Sequence, residues 1–138
     1  MVIIHINARS LTKNIEKIRE ILETLDKLPD IICISETKLK DDSCKKINDK
    51  ISMEDIQLED YNFSHNSKTY FGGTGIYILK KYFYTDRNDL NFNVSGEYEA
   101  SFVEMNFVNP MVQTKRIVIG SIYRHPHDNH DEFYDIFL

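Results

Sequence analysis

Residues 2–36 read VIIHINARSLTKNIEKIREILETLDKLPDIICISE, and the alternation of periods within them decides the fold. Val2 to Asn7 is a short, Ile-rich apolar run that stops at Ala8-Arg9-Ser10, the pattern of a buried strand. Thr12 then offers an N-cap, and Ile15, Ile18, Leu22, Leu25 and Leu28 recur at helical spacing. Glu16, Lys17, Arg19, Glu20 and Glu23 fill the other face, so this helix lies with one side on a core and one in water. Pro29-Asp30 ends it, and Ile31-Ile32-Cys33-Ile34-Ser35 is a second buried strand. Strand, helix and strand in about 30 residues make a parallel or mixed sheet covered by a helix.

Outward from this unit the chain becomes strand-rich. Lys38 to Asp60 is polar and reads as a long loop with a short helical turn, and Tyr61 to Ser64 as a brief strand. Gly72-Gly73 opens Thr74 to Leu79, a β-branched and aromatic strand. Tyr98 to Phe107 and Arg116 to Tyr123 form a hairpin punctuated by Asn109-Pro110. Asp131 offers a cap for a last helix, Glu132 to Leu138, with Phe133, Ile136 and Phe137 on its apolar face. The expectation is one α/β domain over residues 1–138, without internal repeats.

Composition sets the limits. The chain has 138 residues, 41% hydrophobic and 28% charged, too apolar for intrinsic disorder. No apolar run nears the roughly 20 residues of a membrane helix, and Met1 to Ile6 is too short for a secretion signal. A nuclear or cytoplasmic, non-secreted, membrane-free chain is expected. The net charge of -5 lies almost wholly after Lys50, and no basic stripe marks a nucleic-acid surface. A metal-dependent nuclease is still allowed, because a bound cation inverts the local charge. Cys33 and Cys44 have neither zinc-site spacing nor the number of a disulfide scaffold. Cys33 reads as a small buried residue.

Polar residues at strand ends are the first functional candidates, since ligands of open α/β sheets gather beyond the carboxyl ends of strands. Asn7 and Glu36 end neighbouring strands and have the chemistry to hold a divalent cation and a phosphate oxygen. The same two residues also suit a turn asparagine and a surface carboxylate. Tyr123-Arg124 ends another strand with a phenol and a guanidinium, both good phosphate partners. The cluster His125, His127, Asp128, His130 and Asp131 has metal-ligand chemistry but lacks a rigid frame, and reads as a surface loop. Gly72-Gly73-Thr74-Gly75 lacks the Lys-Ser/Thr of a phosphate loop and reads as a turn opening a strand. Glu97 and Glu99 flank a strand start and read as solvated charges.

Together these segments resemble a known family. His5-Ile6-Asn7-Ala8-Arg9-Ser10-Leu11 with Lys13, then Asp30 to Leu39, resemble the first two motifs of the endonuclease/exonuclease/phosphatase superfamily. Gly72 to Ile78 and Ile119-Gly120-Ser121-Ile122-Tyr123-Arg124-His125-Pro126 resemble the next two signatures, in order, of the endonuclease domain of non-LTR (LINE-type) retrotransposons. The resemblance covers essentially the whole chain and implies a four-layer α/β sandwich, two mixed β-sheets face to face and flanked by helices. It implies Mg²⁺-dependent hydrolysis of a DNA phosphodiester, with Mn²⁺ as an alternative ion. Glu36 would be the metal-binding carboxylate, Asn7 would orient metal or phosphate, and Tyr123 would hydrogen-bond the scissile phosphate. Arg9 and Arg124 would contact the DNA backbone, and the parent protein would continue into a reverse transcriptase. The family's later Asp-x-Asn and Ser-Asp-His motifs do not follow Pro126. The expectation is therefore the N-terminal part of one such domain, truncated before its second half and inactive by itself. The alternatives are another phosphoesterase of the superfamily, or a non-catalytic remnant or binding module derived from a retroelement.

Overall fold

The computed structural model describes residues 1–39, 53–66, 72–94, 97–109 and 112–126. Among these residues the fold comprises two sheets and one helix. β1 (Ile3–Asn7), α1 (Leu11–Glu23) and β2 (Ile31–Ser35) form the expected unit, with β1 and β2 parallel and Ile3 opposite Ile31 through Asn7 opposite Ser35. A 3-10 turn at Met53–Ile56 is followed by β3 (Tyr61–Asn66) and β4 (Thr74–Leu79). β4 pairs antiparallel with both β2 and β3, giving the order β1-β2-β4-β3. The second sheet is antiparallel. Its long strands β7 (Tyr98–Asn109) and β8 (Val112–Arg124) form the expected hairpin, and β5 (Tyr84–Asp86) and β6 (Phe92–Val94) pair with the other edge of β7.

Three layers bury the apolar runs. The side chains of Leu11, Ile15, Ile18 and Leu22 on α1 pack on Ile32, Ile34 and Tyr77, the outer face of the first sheet. The inner face, Ile31, Cys33, Ile76 and Ile78, packs on Val103, Met105 and Ile119 of the second sheet. Every residue of β2 is buried because both of its faces are covered. Burial pushes the Cys33 thiol up to about 11, which keeps it protonated and inert. No helix covers the outer face of the second sheet among the described residues, so helical flanking is one-sided there.

Several boundaries differ from the sequence reading. The helix begins at Leu11 with Ser10, not Thr12, in the capping position, and Asn14 Nδ2 donates to the Ala8 carbonyl at 2.9 Å. It ends at Glu23, before Leu25 and Leu28, where the Thr24 and Leu25 N–H groups turn to the Ile21 and Leu22 carbonyls at 3.1 and 3.2 Å and Thr24 Oγ1 donates to the Ile21 carbonyl at 2.7 Å. Leu25 is accordingly exposed, while Leu28 still packs against the core. The short strands β5 and β6 have no counterpart in the sequence reading, since three residues cannot establish a period. Cys44, His127, Asp128, His130 and the segment Asp131 to Leu138 lie outside the described residues.

Asp30 fastens the three central strands at the end opposite Asn7. Its backbone N–H donates to Val2 O at 2.9 Å, and its carbonyl accepts from Leu79 at 3.1 Å. Its carboxylate accepts from Val2 N–H at 2.7 Å, Tyr82 Oη at 2.6 Å and Lys81 Nζ at 2.9 Å. Burial alone would raise its pKa, but the bonds from Tyr82, Lys81 and Val2 outweigh it and hold the carboxyl well below the usual range. A depressed folded pKa stabilises above the unfolded carboxylate value, near 3.9, and the contribution is lost as pH falls below it. Asp30→Asn is therefore expected to cost about 2–3 kcal/mol in urea unfolding at pH 7, with the gap to wild type narrowing below pH 4. A gap that does not change with pH would contradict this assignment.

Candidate active site

The parallel register puts the carboxyl ends of β1 and β2 at one edge, so Asn7 and Glu36 meet there. Asn7 Nδ2 donates to Glu36 Oε1 at 2.8 Å, and Asn7 Oδ1 accepts from the Arg9 N–H at 3.1 Å. The amide is thereby held at both of its ends. Glu36 Oε2 stands 4.0 Å from Lys38 Nζ, and the glutamate side chain is 19% exposed. An ionised carboxylate has about four acceptor positions, so the Asn7 bond leaves capacity for a cation.

Backbone conformation marks the same place. Among the described residues, the non-glycine positions with positive φ are Arg9 (48°), Ser10 (103°), Glu36 (53°) and Lys38 (49°), all in the two turns that follow β1 and β2. Such conformations are costly for residues with a Cβ and persist where the surroundings enforce them. Here a ladder of backbone bonds does so. Ala8 donates to Ser35 O, Ser10 to Glu36 O and Leu11 to Thr37 O, each at 2.9 Å. Thr37 and Lys38 in turn donate to Gly73 O at 3.1 Å and Gly72 O at 2.8 Å.

The second sheet brings Tyr123 to this edge. Ser121 Oγ donates to Ile34 O at 2.9 Å, which fixes β8 against β2 two residues before each candidate. Tyr123 is half-buried, with His125 edge-on to its ring at a centroid distance of 4.9 Å. Strand alternation turns Arg124 to the opposite face of the sheet from Tyr123. Arg9 is exposed in the turn after β1. Asn7 and Glu36 are thus in direct contact and Tyr123 is fixed to the same end of the sandwich, whereas Arg9 lies exposed in the neighbouring turn and Arg124 is on the outer face of the second sheet.

Toward this edge the inter-sheet core changes from apolar to polar. Thr74 and Ser101 share a hydroxyl contact of 2.6 Å, and Ser101 Oγ also donates to Thr74 O at 3.1 Å. Glu99 completes the set, and here the sequence reading is corrected. Far from being a solvated charge, it is fully buried. Its carboxylate accepts from the Gly73 N–H and, at 3.3 Å, from Asn93 Nδ2. The available signal was parity: Glu99, Ser101, Val103 and Met105 occupy one face of β7, and the last two are plainly core residues. His125 is also buried, contrary to the surface-loop reading, because its backbone N–H donates to Glu97 O at 2.7 Å and its ring packs on Tyr123.

No group of three or more His, Cys, Asp or Glu side chains converges among the described residues. A hollow of about 560 Å³ lies elsewhere, between α1 and residues 57–61, and is lined by none of the candidate residues. In comparisons with known proteins, no family model matches this chain and no curated protein is significantly similar to it. If Asn7 holds Glu36 as its geometry indicates, Asn7→Ala costs only about 1 kcal/mol in chemical denaturation, because the pair is exposed. A loss above 3 kcal/mol would make Asn7 a structural residue instead.

Proposed function

We propose that this chain is the N-terminal part of a metal-dependent phosphodiesterase domain of the endonuclease/exonuclease/phosphatase type, one that nicks DNA in a non-LTR retrotransposon. The Asn7–Glu36 contact at the paired ends of two parallel strands carries the reading. A four-layer sandwich, with helices over the second sheet as well, belongs to the same proposal.

The donor set fits a hard cation. Mg²⁺ takes one or two protein carboxylates and keeps waters and substrate phosphate oxygens for its remaining positions. Glu36 supplies the carboxylate, and Asn7 fixes its orientation through Nδ2. Mn²⁺ suits the same oxygen ligands. When bound, the metal supplies Lewis-acid polarisation of a phosphoryl oxygen. Tyr123 then donates its phenolic hydrogen to a phosphate oxygen, while Arg9 and Arg124 hold flanking DNA backbone, contacts that position without reading sequence. In a retroelement the freed 3′-hydroxyl would prime a reverse transcriptase carried by the same polypeptide.

A second reading, a non-catalytic binding module, draws on the absence of a larger acidic cluster among the described residues. The two readings separate on the cation. In a chain of net charge -5, a divalent ion at the contact would invert the local charge that meets a phosphate. Anisotropy of a labelled DNA duplex is expected to rise with added protein only when Mg²⁺ is present, and Glu36→Ala should remove that dependence. Binding that is indifferent to both Mg²⁺ and Glu36 would overturn the phosphodiesterase reading.

A further inference from the structure

Glu99 stands on the far sheet, yet its carboxylate accepts the Gly73 N–H across the gap between the sheets. Gly72 and Gly73 are the residues whose carbonyls receive the Lys38 and Thr37 N–H groups, at 2.8 and 3.1 Å. One buried carboxylate on β7 is therefore two hydrogen bonds away from the turn that carries Glu36. The dipeptide is shaped for this role. Gly73 has φ 92°, a conformation L side chains rarely adopt. At Gly72 any Cβ would collide with the Glu99 carboxylate and come within 2.9 Å of His125 Nε2. That nitrogen is buried, with no hydrogen-bond partner among the described residues, in a ring that leans on Tyr123. Glu99 itself lies directly opposite Tyr123 in the β7–β8 register.

We propose that Glu99 is a positioning residue for the candidate site: from the second sheet it pins Gly72-Gly73, and through their carbonyls it sets the Glu36 turn relative to Tyr123. The inference rests on the phosphodiesterase reading for its consequence, but its mechanical part can be measured without metal. A carboxylate suits the position because both of its oxygens accept, one from Gly73 and one from Asn93. Glutamine keeps the volume but offers a single acceptor oxygen, and its NH₂ would face a donor.

Two measurements test it, with Val103→Ala as a control that weakens the same inter-sheet core without touching the glycines. In metal-free protein, amide hydrogen exchange of Thr37 and Lys38 is expected to accelerate at least tenfold in Glu99→Gln, with β1–β2 amides unchanged; Val103→Ala leaves Thr37 and Lys38 close to wild type. In Mn²⁺ calorimetry, Glu99→Gln is expected to weaken binding by about tenfold to a hundredfold, the usual effect of losing an outer-shell partner, with Val103→Ala near wild type. Gly72→Ala should resemble Glu99→Gln, and adding Glu99→Ala to Gly72→Ala should cost less than the two separate effects combined, since the clash is relieved. Exchange at Thr37 and Lys38 that is unchanged in Glu99→Gln, or equally fast in Val103→Ala, overturns the positioning role. Exchange that accelerates as expected, with Mn²⁺ binding indifferent to Glu36→Ala, supports the mechanical link and overturns the phosphodiesterase reading instead.

Discussion

Burial of both faces of β2 is the constraint from which the other features follow. A strand whose five residues are all inaccessible needs a layer on each side and a hydrogen-bonded neighbour on each edge. α1 supplies the outer layer and the second sheet the inner one, while β1 and β4 supply the edges. The crossover through α1 makes β1 parallel to β2, so both strands end on the same side. The meeting of Asn7 and Glu36 is a consequence of that parallel pairing, since residues 29 apart in sequence become neighbours at one rim.

The core is graded along the strands. At the Asp30 end a single carboxylate gathers donors from Val2, Tyr82 and Lys81 and fixes where β1 and β2 start and β4 ends. In the middle, isoleucine, valine and methionine side chains fill the gap between the sheets. At the Asn7 end the gap is lined by Thr74, Ser101, Ser121 and Glu99, whose hydrogen bonds run from one sheet to the other. Buried polar networks of this kind are costly when half satisfied and rigid when satisfied. Here they tie the first sheet to the second at the end where the strained turns lie.

Much of this was legible in the sequence because it rests on period. The β1–α1–β2 unit, β4 and the long hairpin all show runs long enough to establish a 2.0 or 3.6 repeat, and strand ends can be located from where the runs stop. Asn7, Glu36 and Tyr123 were visible for the same reason: each is a polar residue at the end of an apolar strand. What was hidden depends on tertiary partners. β5 and β6 are strands only because β7 is long enough to pair with both. Glu99 looks like any strand-edge acid until Gly73 is seen to donate to it from the other sheet. His125 looked like part of a polar loop, and only its packing against Tyr123 buries it. The helix end at Glu23 is hidden in the sequence because Leu25 and Leu28 carry the apolar spacing past it as far as Pro29.

Paramagnetic broadening by Mn²⁺ reads the proposed cation site at Asn7 and Glu36 residue by residue. With substoichiometric Mn²⁺ added to isotope-labelled protein, amide signals of Asn7, Ala8, Glu36 and Thr37 should broaden first, and Glu36→Ala should abolish the effect. Signals near the exposed acids Asp86, Asp89 and Glu59 should remain sharp at the same ratio. Broadening that begins at those acids, or that survives Glu36→Ala, would contradict the account.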